Sequence, residues 1–188
     1  MGLDQRFSSD LFAGIELTGR RLDVPDLQRG DIGWKESTAH AYLYAAMPAG
    51  RISVMPGWAL ASSLEYELES IERPQVLSGP EGIIDVKTHH LPIGLRLFRG
   101  SWAWKVSTTY VKQTGHFSAS VGADTFTKST SGWITDVSAE YQLPRRTGTV
   151  SAGVRNLSDE RLDLFQSDPF APRDALGRFF YVRCRVIF

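Results

Sequence analysis

The chain has 188 residues, enough for one domain with a sizeable core, and its 21 basic residues balance its 21 acidic residues. This balance argues against a nucleic-acid-binding protein, and no polybasic segment indicates attachment to an anionic membrane surface. No run of about 18 apolar residues occurs, which excludes a transmembrane helix, but the alternating strands of a membrane β-barrel would escape that test.

Alternation of apolar and polar residues with a period of two predicts eight β-strands. Most are longer than the roughly 5 to 6 residues usual in soluble proteins, and they reach the about 9 to 11 residues with which a tilted strand crosses a bilayer. The predicted strands cover residues 11–24, 34–47, 57–73, 83–99, 102–114, 132–143, 149–157 and 177–188.

The connections between these strands alternate in length. Short links are predicted at residues 100–101 and 144–148, with a somewhat longer one at residues 48–56, and longer polar links are predicted at residues 25–33, 74–82, 115–131 and 158–175. Counting back from the last strand places every long link at one end of the sheet and the C-terminus at the other end. Outer-membrane barrels have this arrangement, with short periplasmic turns and long extracellular loops.

Most predicted strands separate an apolar face from a polar face. The polar faces carry mid-strand charges, such as Glu65, Lys105, Asp136 and Glu140, and the last strand carries Arg183 and Arg185 there. In the strand at residues 34–47 the pattern leaves open which face is apolar. The apolar faces of the others carry Trp58, Leu60, Leu64, Tyr66 and Leu68, then Leu91, Ile93, Leu95 and Leu97, then Trp102, Trp104, Val106 and Tyr110, and then Trp133, Val137, Ala139 and Tyr141.

A soluble β-sandwich would also alternate, with its apolar side chains inside. A membrane barrel is favoured because the apolar faces carry Trp or Tyr near their ends, as the aromatic girdles at membrane interfaces do. A register shift of one residue would turn Arg183 and Arg185 toward lipid, at about 2 to 4 kcal/mol each near the midplane. The predicted fold class is all-β, an antiparallel transmembrane β-barrel with about eight strands present, as part of a larger barrel.

Two C-terminal patterns resemble known outer-membrane proteins. The chain ends on Phe188, with Phe180, Val182, Cys184 and Val186 at every second position before it, which resembles the C-terminal signal read by the barrel-assembly machinery. Residues 153–161 and the later Gly-Arg-Phe-Phe resemble the end of TonB-dependent receptors, through Asn156, Leu157, Asp159, Gly177 and Arg178. Ser158 departs from that family, which has an aromatic residue there, and the specific match covers only residues 151–188.

The resemblance implies that residues 1–188 are the C-terminal portion of an outer-membrane receptor that takes up a scarce nutrient such as an iron chelate. In that family TonB acts through an N-terminal plug domain, which is not visible in this sequence. No signal peptide is visible either, so we expect a segment of a longer protein. The expected partners are outer-membrane lipid and the barrel-assembly machinery, with no nucleic acid, and the transported ligand is not specified.

Two alternatives stay open: a self-standing small outer-membrane barrel of porin-like or structural type, and a soluble ligand-binding β-barrel or sandwich. No catalytic motif or phosphate-binding glycine loop is present, so neither an enzyme nor a cofactor is expected.

Several residues that could suggest a binding site are expected to be structural. His89 and His90 face opposite sides of a strand and cannot chelate one ion. Cys184 is expected to be an inert apolar residue, and Asn156 and Asp159 to bond the backbone of a turn. The ladder of Glu65, Glu67 and Glu69 is expected to balance the wall charges of Arg96, Lys105, Arg183 and Arg185.

Overall fold

The computed structural model describes residues 1–26, 30–49, 51, 55–73, 82–118, 125–165, 173–174 and 177–187. These residues form an all-β protein, and their only helical element is a 3-10 turn at Pro144–Arg146. The strands are β1 (Gly2–Arg6), β2 (Leu11–Asp26), β3 (Gly30–Met47), β4 (Ala59–Glu72), β5 (Gly82–Arg99), β6 (Trp102–Ser118), β7 (Thr125–Gln142), β8 (Gly148–Arg155), β9 (Asp163–Leu164), β10 (Arg173–Asp174) and β11 (Phe179–Val186).

Nine of these strands form one antiparallel sheet in the order β1-β2-β3-β4-β5-β6-β7-β8-β11, and β9 pairs with β10 in a separate two-residue ladder. Each strand of the large sheet therefore pairs with its neighbours in the chain. In the described part of the chain β1 and β11 do not pair with each other, so the sheet has two edges and is not closed.

The connections divide the sheet into two ends. We call the end with the tight link at Gly100–Ser101 and the turn at Pro144–Arg146 the turn end, and the opposite end the loop end. The β1–β2 and β3–β4 connections also lie at the turn end, and the β2–β3, β4–β5, β6–β7 and β8–β11 connections lie at the loop end. Each predicted link lies at the expected end of the sheet, but the predicted alternation in length is wrong, because only three residues separate β2 from β3 at the loop end and eleven separate β3 from β4 at the turn end.

All eight predicted strands occur, with three differences. The sheet also contains β1, whose five residues are too few for an alternating pattern to stand out. The predicted link at residues 115–131 is wrong for most of its length, because β6 continues to Ser118 and β7 begins at Thr125. The predicted link at residues 25–33 is likewise shortened by β2 and β3. Phe188 lies outside the described residues.

The register brings the apolar faces of successive strands together on one side of the sheet. Because directly opposed residues share a face, one row can be followed through seven strands without a charged residue. This row consists of Ala45, Ser62, Leu95, Val106, Val137, Val154 and Phe180. The register also shows that Leu43 and Ala45 belong to this apolar face, whereas Tyr42 and Tyr44 belong to the polar face.

The buried apolar side chains lie on the polar face, at the loop end. Phe117 is fully buried there with Ile83, Val86 and Phe165, and Phe126 packs against the group. A β-bulge at Ile83–Asp85 turns Ile83 and Val86 to the same side although they are three residues apart. The described residues thus have a small core at one end of the sheet and leave the large apolar face uncovered.

Candidate functional site

The apolar face of the four central strands is exposed. Leu64, Ile93, Val106 and Val137 retain 44%, 40%, 44% and 36% of their accessible surface. In strands β4–β7 no charged residue lies on this face between the two aromatic clusters described below. We call this surface the apolar band, and it consists of Leu60, Ser62, Leu64, Leu91, Ile93, Leu95, Leu97, Val106, Thr108, Thr135, Val137 and Ala139.

An aromatic cluster bounds the apolar band at the turn end. The ring centroids of Trp102 and Tyr141 are 4.9 Å apart, and those of Trp58 and Trp104 are 5.1 Å apart. Trp102 also stacks on Trp104, with centroids 5.9 Å apart. Indole and phenol rings combine an apolar body with a polar hydrogen-bonding group, which suits them to a boundary between apolar and aqueous surroundings.

A second aromatic cluster bounds the apolar band at the loop end, where the centroids of Tyr110 and Trp133 are 5.1 Å apart. On β7 Trp133 precedes Tyr141 by eight residues, which is about 27 Å along a strand. At the strand tilt of about 40° typical of membrane barrels, the two clusters would be about 20 Å apart along the membrane normal, close to the about 25 Å height of an outer-membrane apolar band.

The opposite face is polar and carries the charged residues. The hydroxyl of Tyr42 donates to Asp4, Arg20 pairs with Glu36, and His40 lies 3.4 Å from Glu65. Toward the turn end this face holds a cavity of about 740 Å³ whose lining includes Arg6, Tyr44, Glu65, Arg96 and Lys105. Charged walls around a cavity of this size suit an interior that contains water or another polar partner.

As far as the structure describes the chain, the glutamate ladder forms no direct ion pair with the basic residues named for it above. Within the described residues, none of the three glutamates is within ion-pair distance of Arg96, Lys105, Arg183 or Arg185, and Glu65 pairs with His40. The register explains this result. It places Glu65 opposite Tyr42, whereas Arg96 and Lys105 oppose each other on the next two strands.

The C-terminal motif residues come together where β8 ends. Asn156 is 2% exposed and has a φ of 49°, a conformation that asparagine tolerates better than most residues. Its Nδ2 donates to the carbonyl oxygen of Glu160 at 2.8 Å, and its Oδ1 accepts from the Glu160 N–H at 2.9 Å. The Asp136 carboxylate accepts from the Asn156 N–H at 2.9 Å. Asn156 therefore holds a turn closed.

The same turn is bonded to the beginning of β11. Asp159 has a φ of 57°, and its Oδ1 accepts from the Arg178 N–H at 2.7 Å. A side chain at Gly177 would approach this oxygen to 3.3 Å. Leu157 donates its N–H to Thr135 at 2.7 Å and leaves its side chain 45% exposed. Asp159 and Arg178 thus bond the turn to the beginning of β11, and Leu157 attaches it to β7.

Beyond this turn, residues 160–165 cross the polar face at the loop end. Leu162 is 1% exposed and packs over Gly132. The buried Gln113 accepts from the Phe165 N–H at 2.6 Å and donates to Thr88 at 2.9 Å. The sequence predicted a polar surface link here, and the alternation gave no sign that Leu162 and Phe165 would be buried.

The described residues contain no metal-binding group of three or more His, Cys, Asp or Glu side chains. His89 and His90 face opposite sides of β5, and Nδ1 of His89 lies 2.8 Å from the hydroxyl of Tyr66.

At the loop end, burial lowers the pKa of the Arg73 guanidinium, which lies 4.0 Å above the Trp34 ring. Across the described ranges, no helix has the length and apolar character needed to span a membrane.

Cys184, Val182, Val186 and Phe180 lie on the apolar face of β11, and Arg183 and Arg185 lie on its polar face. Val182 is 77% exposed and Phe180 is 68% exposed, because β11 is an edge strand.

Comparison with protein-family models, with characterised proteins and with solved structures finds no match to this chain.

Proposed function

We propose that the chain forms part of the wall of an outer-membrane β-barrel, with the apolar band in contact with lipid and the polar face lining the interior. The observation that supports this most strongly is the apolar band itself, which is uncharged, exposed and bounded at both ends by aromatic clusters. A hydrocarbon layer would cover such a surface, and the interfaces on either side would solvate the rings of Trp and Tyr.

The proposal explains why the apolar side of the sheet is uncovered. In a soluble sandwich the two apolar faces would pack against each other about 10 Å apart. Here the buried side chains Phe117, Leu162 and Phe165 are on the polar side, and no described element packs on the apolar band. This arrangement favours a membrane barrel over the soluble ligand-binding barrel or sandwich.

The open sheet supports a larger barrel rather than a small closed one. Strands β1 and β11 each have one unpaired edge, and unpaired backbone groups in hydrocarbon are costly enough that membrane sheets close. A self-standing small barrel would bring β1 and β11 together. We therefore propose that the nine strands belong to a barrel with further strands.

Within this class, the features of the C-terminal segment support a TonB-dependent receptor that takes up a scarce nutrient such as an iron chelate. Asn156 closes the turn that follows β8, and the Asp159 carboxylate of this turn accepts from the Arg178 N–H just before β11. The reading frame upstream of Met1 tests this part of the proposal. A plug domain of that family supports it, whereas a signal peptide directly before β1 supports the porin-like or structural alternative.

The lipid-facing assignment can be tested with the single native cysteine, Cys184. The protein is inserted into phosphatidylcholine vesicles and treated with a membrane-impermeant maleimide. Cys184, in the row of Tyr141 and Trp102 at the turn-end boundary, should be labelled more slowly than the Arg183→Cys variant in a Cys184→Ser background, which should react on the aqueous side. Equal labelling rates in vesicles for the two cysteines would overturn the assignment.

A second pair of cysteine variants, on a central strand, controls for labelling differences that are specific to the edge strand β11. Val106 and Ser107 are neighbours on the central strand β6 and face opposite sides of the sheet. In the Cys184→Ser background, Val106→Cys should be protected and Ser107→Cys should be labelled. Protection of both, or of neither, would contradict the proposed facing.

A further inference from the structure

Two lysines lie just beyond the loop-end aromatic cluster, on the same side of the sheet as the apolar band. Lys87 on β5 and Lys112 on β6 are both exposed. Their chain neighbours Val86, Thr88, Val111 and Gln113 are all buried on the other side. Since side chains alternate along a strand, the burial of these neighbours on the polar face shows that both lysines lie on the same face as the apolar band. We call Lys87, His89 and Lys112 the outer basic patch.

The register brings these residues together from separate parts of the sequence. Lys112 is directly opposite His89, and Lys87 is opposite Thr114, two residues from Lys112. The two lysines are therefore diagonal neighbours, about 7 to 8 Å apart between Cα atoms. Because they are 25 residues apart in the chain, no polybasic segment reveals the patch.

Two carboxylates lie beside Lys87 on this side of the sheet: Asp85 is two residues before it on β5, and Glu72 on β4 is opposite both Asp85 and Lys35. Across the described residues, neither Lys87 nor Lys112 forms an ion pair. The nearest acidic residue along β5, Asp85, contacts His116 at 2.9 Å. Neighbouring like charges on one face of a sheet repel each other, and an external anion would relieve that repulsion.

The height of the patch matches a lipid headgroup. Lys112 follows Tyr110 by two residues, which is about 7 Å along the strand and about 5 Å along the normal of a membrane at the usual tilt. The headgroup layer occupies about 5 to 7 Å on each side of the hydrocarbon. If Tyr110 and Trp133 lie at the hydrocarbon boundary, the Cα of Lys112 lies among the headgroups, whereas the Cα of Lys87, opposite Thr114, lies about 10 Å out and its long side chain reaches back toward them.

We propose that the outer basic patch binds the anionic headgroup of a membrane lipid at the loop end of the sheet. This inference rests on the proposed function, because it requires the apolar band to contact lipid. Lys87 and Lys112 supply the charge, and the hydroxyls of Thr114 and Ser131 stand opposite them as further donors. Each lysine near an anionic surface should strengthen binding about fivefold.

The test compares vesicles of phosphatidylcholine with vesicles that also contain anionic phosphatidylglycerol. The affinity of the wild-type protein for each is measured by flotation and compared with that of Lys87→Gln/Lys112→Gln. The matched control is Arg96→Gln/Lys105→Gln, which removes the same charge from the opposite face. We expect the wild type and the control to prefer the anionic vesicles, and the patch variant to lose about 25-fold of this preference.

Equal preference in the wild type and the patch variant would overturn the inference, and so would an equal loss in the control. Inorganic phosphate in the buffer tests for a free anion as the ligand. If phosphate at the concentration of the lipid headgroups abolishes the preference, a lipid site is contradicted. The vesicle experiments use the full-length protein that supplies the remaining strands, and failure of that protein to insert into phosphatidylcholine vesicles would contradict the proposed function itself. Insertion without any lipid preference would contradict only this inference.

Discussion

Tyr110 and Trp133 are directly opposed on β6 and β7, with their ring centroids 5.1 Å apart. From this pair toward the turn end, the residues of both strands on the face of the apolar band are uncharged as far as Trp102 and Tyr141. On the loop side, the next outward residues are Lys112 and Ser131. The pair therefore separates the apolar band from a hydrophilic extension of the same strands, and the proposed function places the membrane boundary here.

The first prediction concerns the middle of the apolar band. Val106→Arg should destabilise the folded protein in vesicles by about 2 to 4 kcal/mol, because it places a guanidinium in hydrocarbon near the midplane. Ser107→Arg, one residue further on the polar face, should cost much less. Urea titration of folding into phosphatidylcholine vesicles measures both changes, and similar losses would show that the two faces have the same surroundings.

The second prediction concerns the Asn156 turn. Asn156→Ala should lower the free energy of unfolding by about 1 to 3 kcal/mol, because it removes both bonds to Glu160 and places alanine at a φ of 49°. Asn156→Gly tolerates that φ and should be less destabilised than the alanine variant. If the glycine variant matches the wild type in urea unfolding, the side-chain bonds contribute nothing.

The third prediction concerns the segment that crosses the polar face. Gln113→Leu leaves the buried Phe165 N–H without its acceptor, so residues 160–165 should detach and the Phe165 amide should exchange faster. The control variant Lys112→Gln changes the neighbouring residue, which lies on the opposite face of the sheet, and should leave the Phe165 amide protected. Hydrogen exchange followed by NMR or mass spectrometry measures both. Unchanged protection in Gln113→Leu would contradict the anchoring role of Gln113.

The fourth prediction concerns a close approach between strands. A Cβ at Gly153 would lie 2.7 Å from the carbonyl oxygen of Val137 and 2.8 Å from the Tyr181 hydroxyl, so Gly153→Ala should weaken the pairing of β8 with its neighbours. At Gly19 a Cβ would meet nothing nearer than 3.9 Å. Gly19→Ala should be neutral or slightly stabilising in thermal unfolding, whereas an equal effect at both positions would contradict the close approach.

The sequence predicted the central part of the fold because the apolar alternation is strong in β4–β7 and β11. The prediction of strand ends failed where both faces of a strand are polar. Residues 115–131 were predicted to be a link, although β6 continues to Ser118 and β7 begins at Thr125. These ends are held by pairing between strands and by the small core around Phe117, which no local pattern reveals.

The remaining differences also come from contacts between strands. The facing of residues 34–47 could not be read from the strand itself, and only its register with β2 and β4 assigns Leu43 to the apolar face. The ion-pair partner of Glu65 was missed for the same reason, since His40 is distant in sequence. The turn bonding expected of Asn156, in contrast, depends on residues close in the chain, and the side chains of Asn156 and Asp159 both accept hydrogen bonds from backbone N–H groups.

The most direct test of the central claim is the membrane depth of two tryptophans. Variants that retain only Trp102, Trp133 or Trp34, with phenylalanine at the other tryptophan positions, are inserted into vesicles that contain lipids brominated at different depths. Trp102 and Trp133 should be quenched most strongly by bromines near the headgroups, and Trp34, on the polar face, should be quenched little. Equal quenching of all three, or none at any depth, would contradict a lipid-facing band bounded by two aromatic clusters.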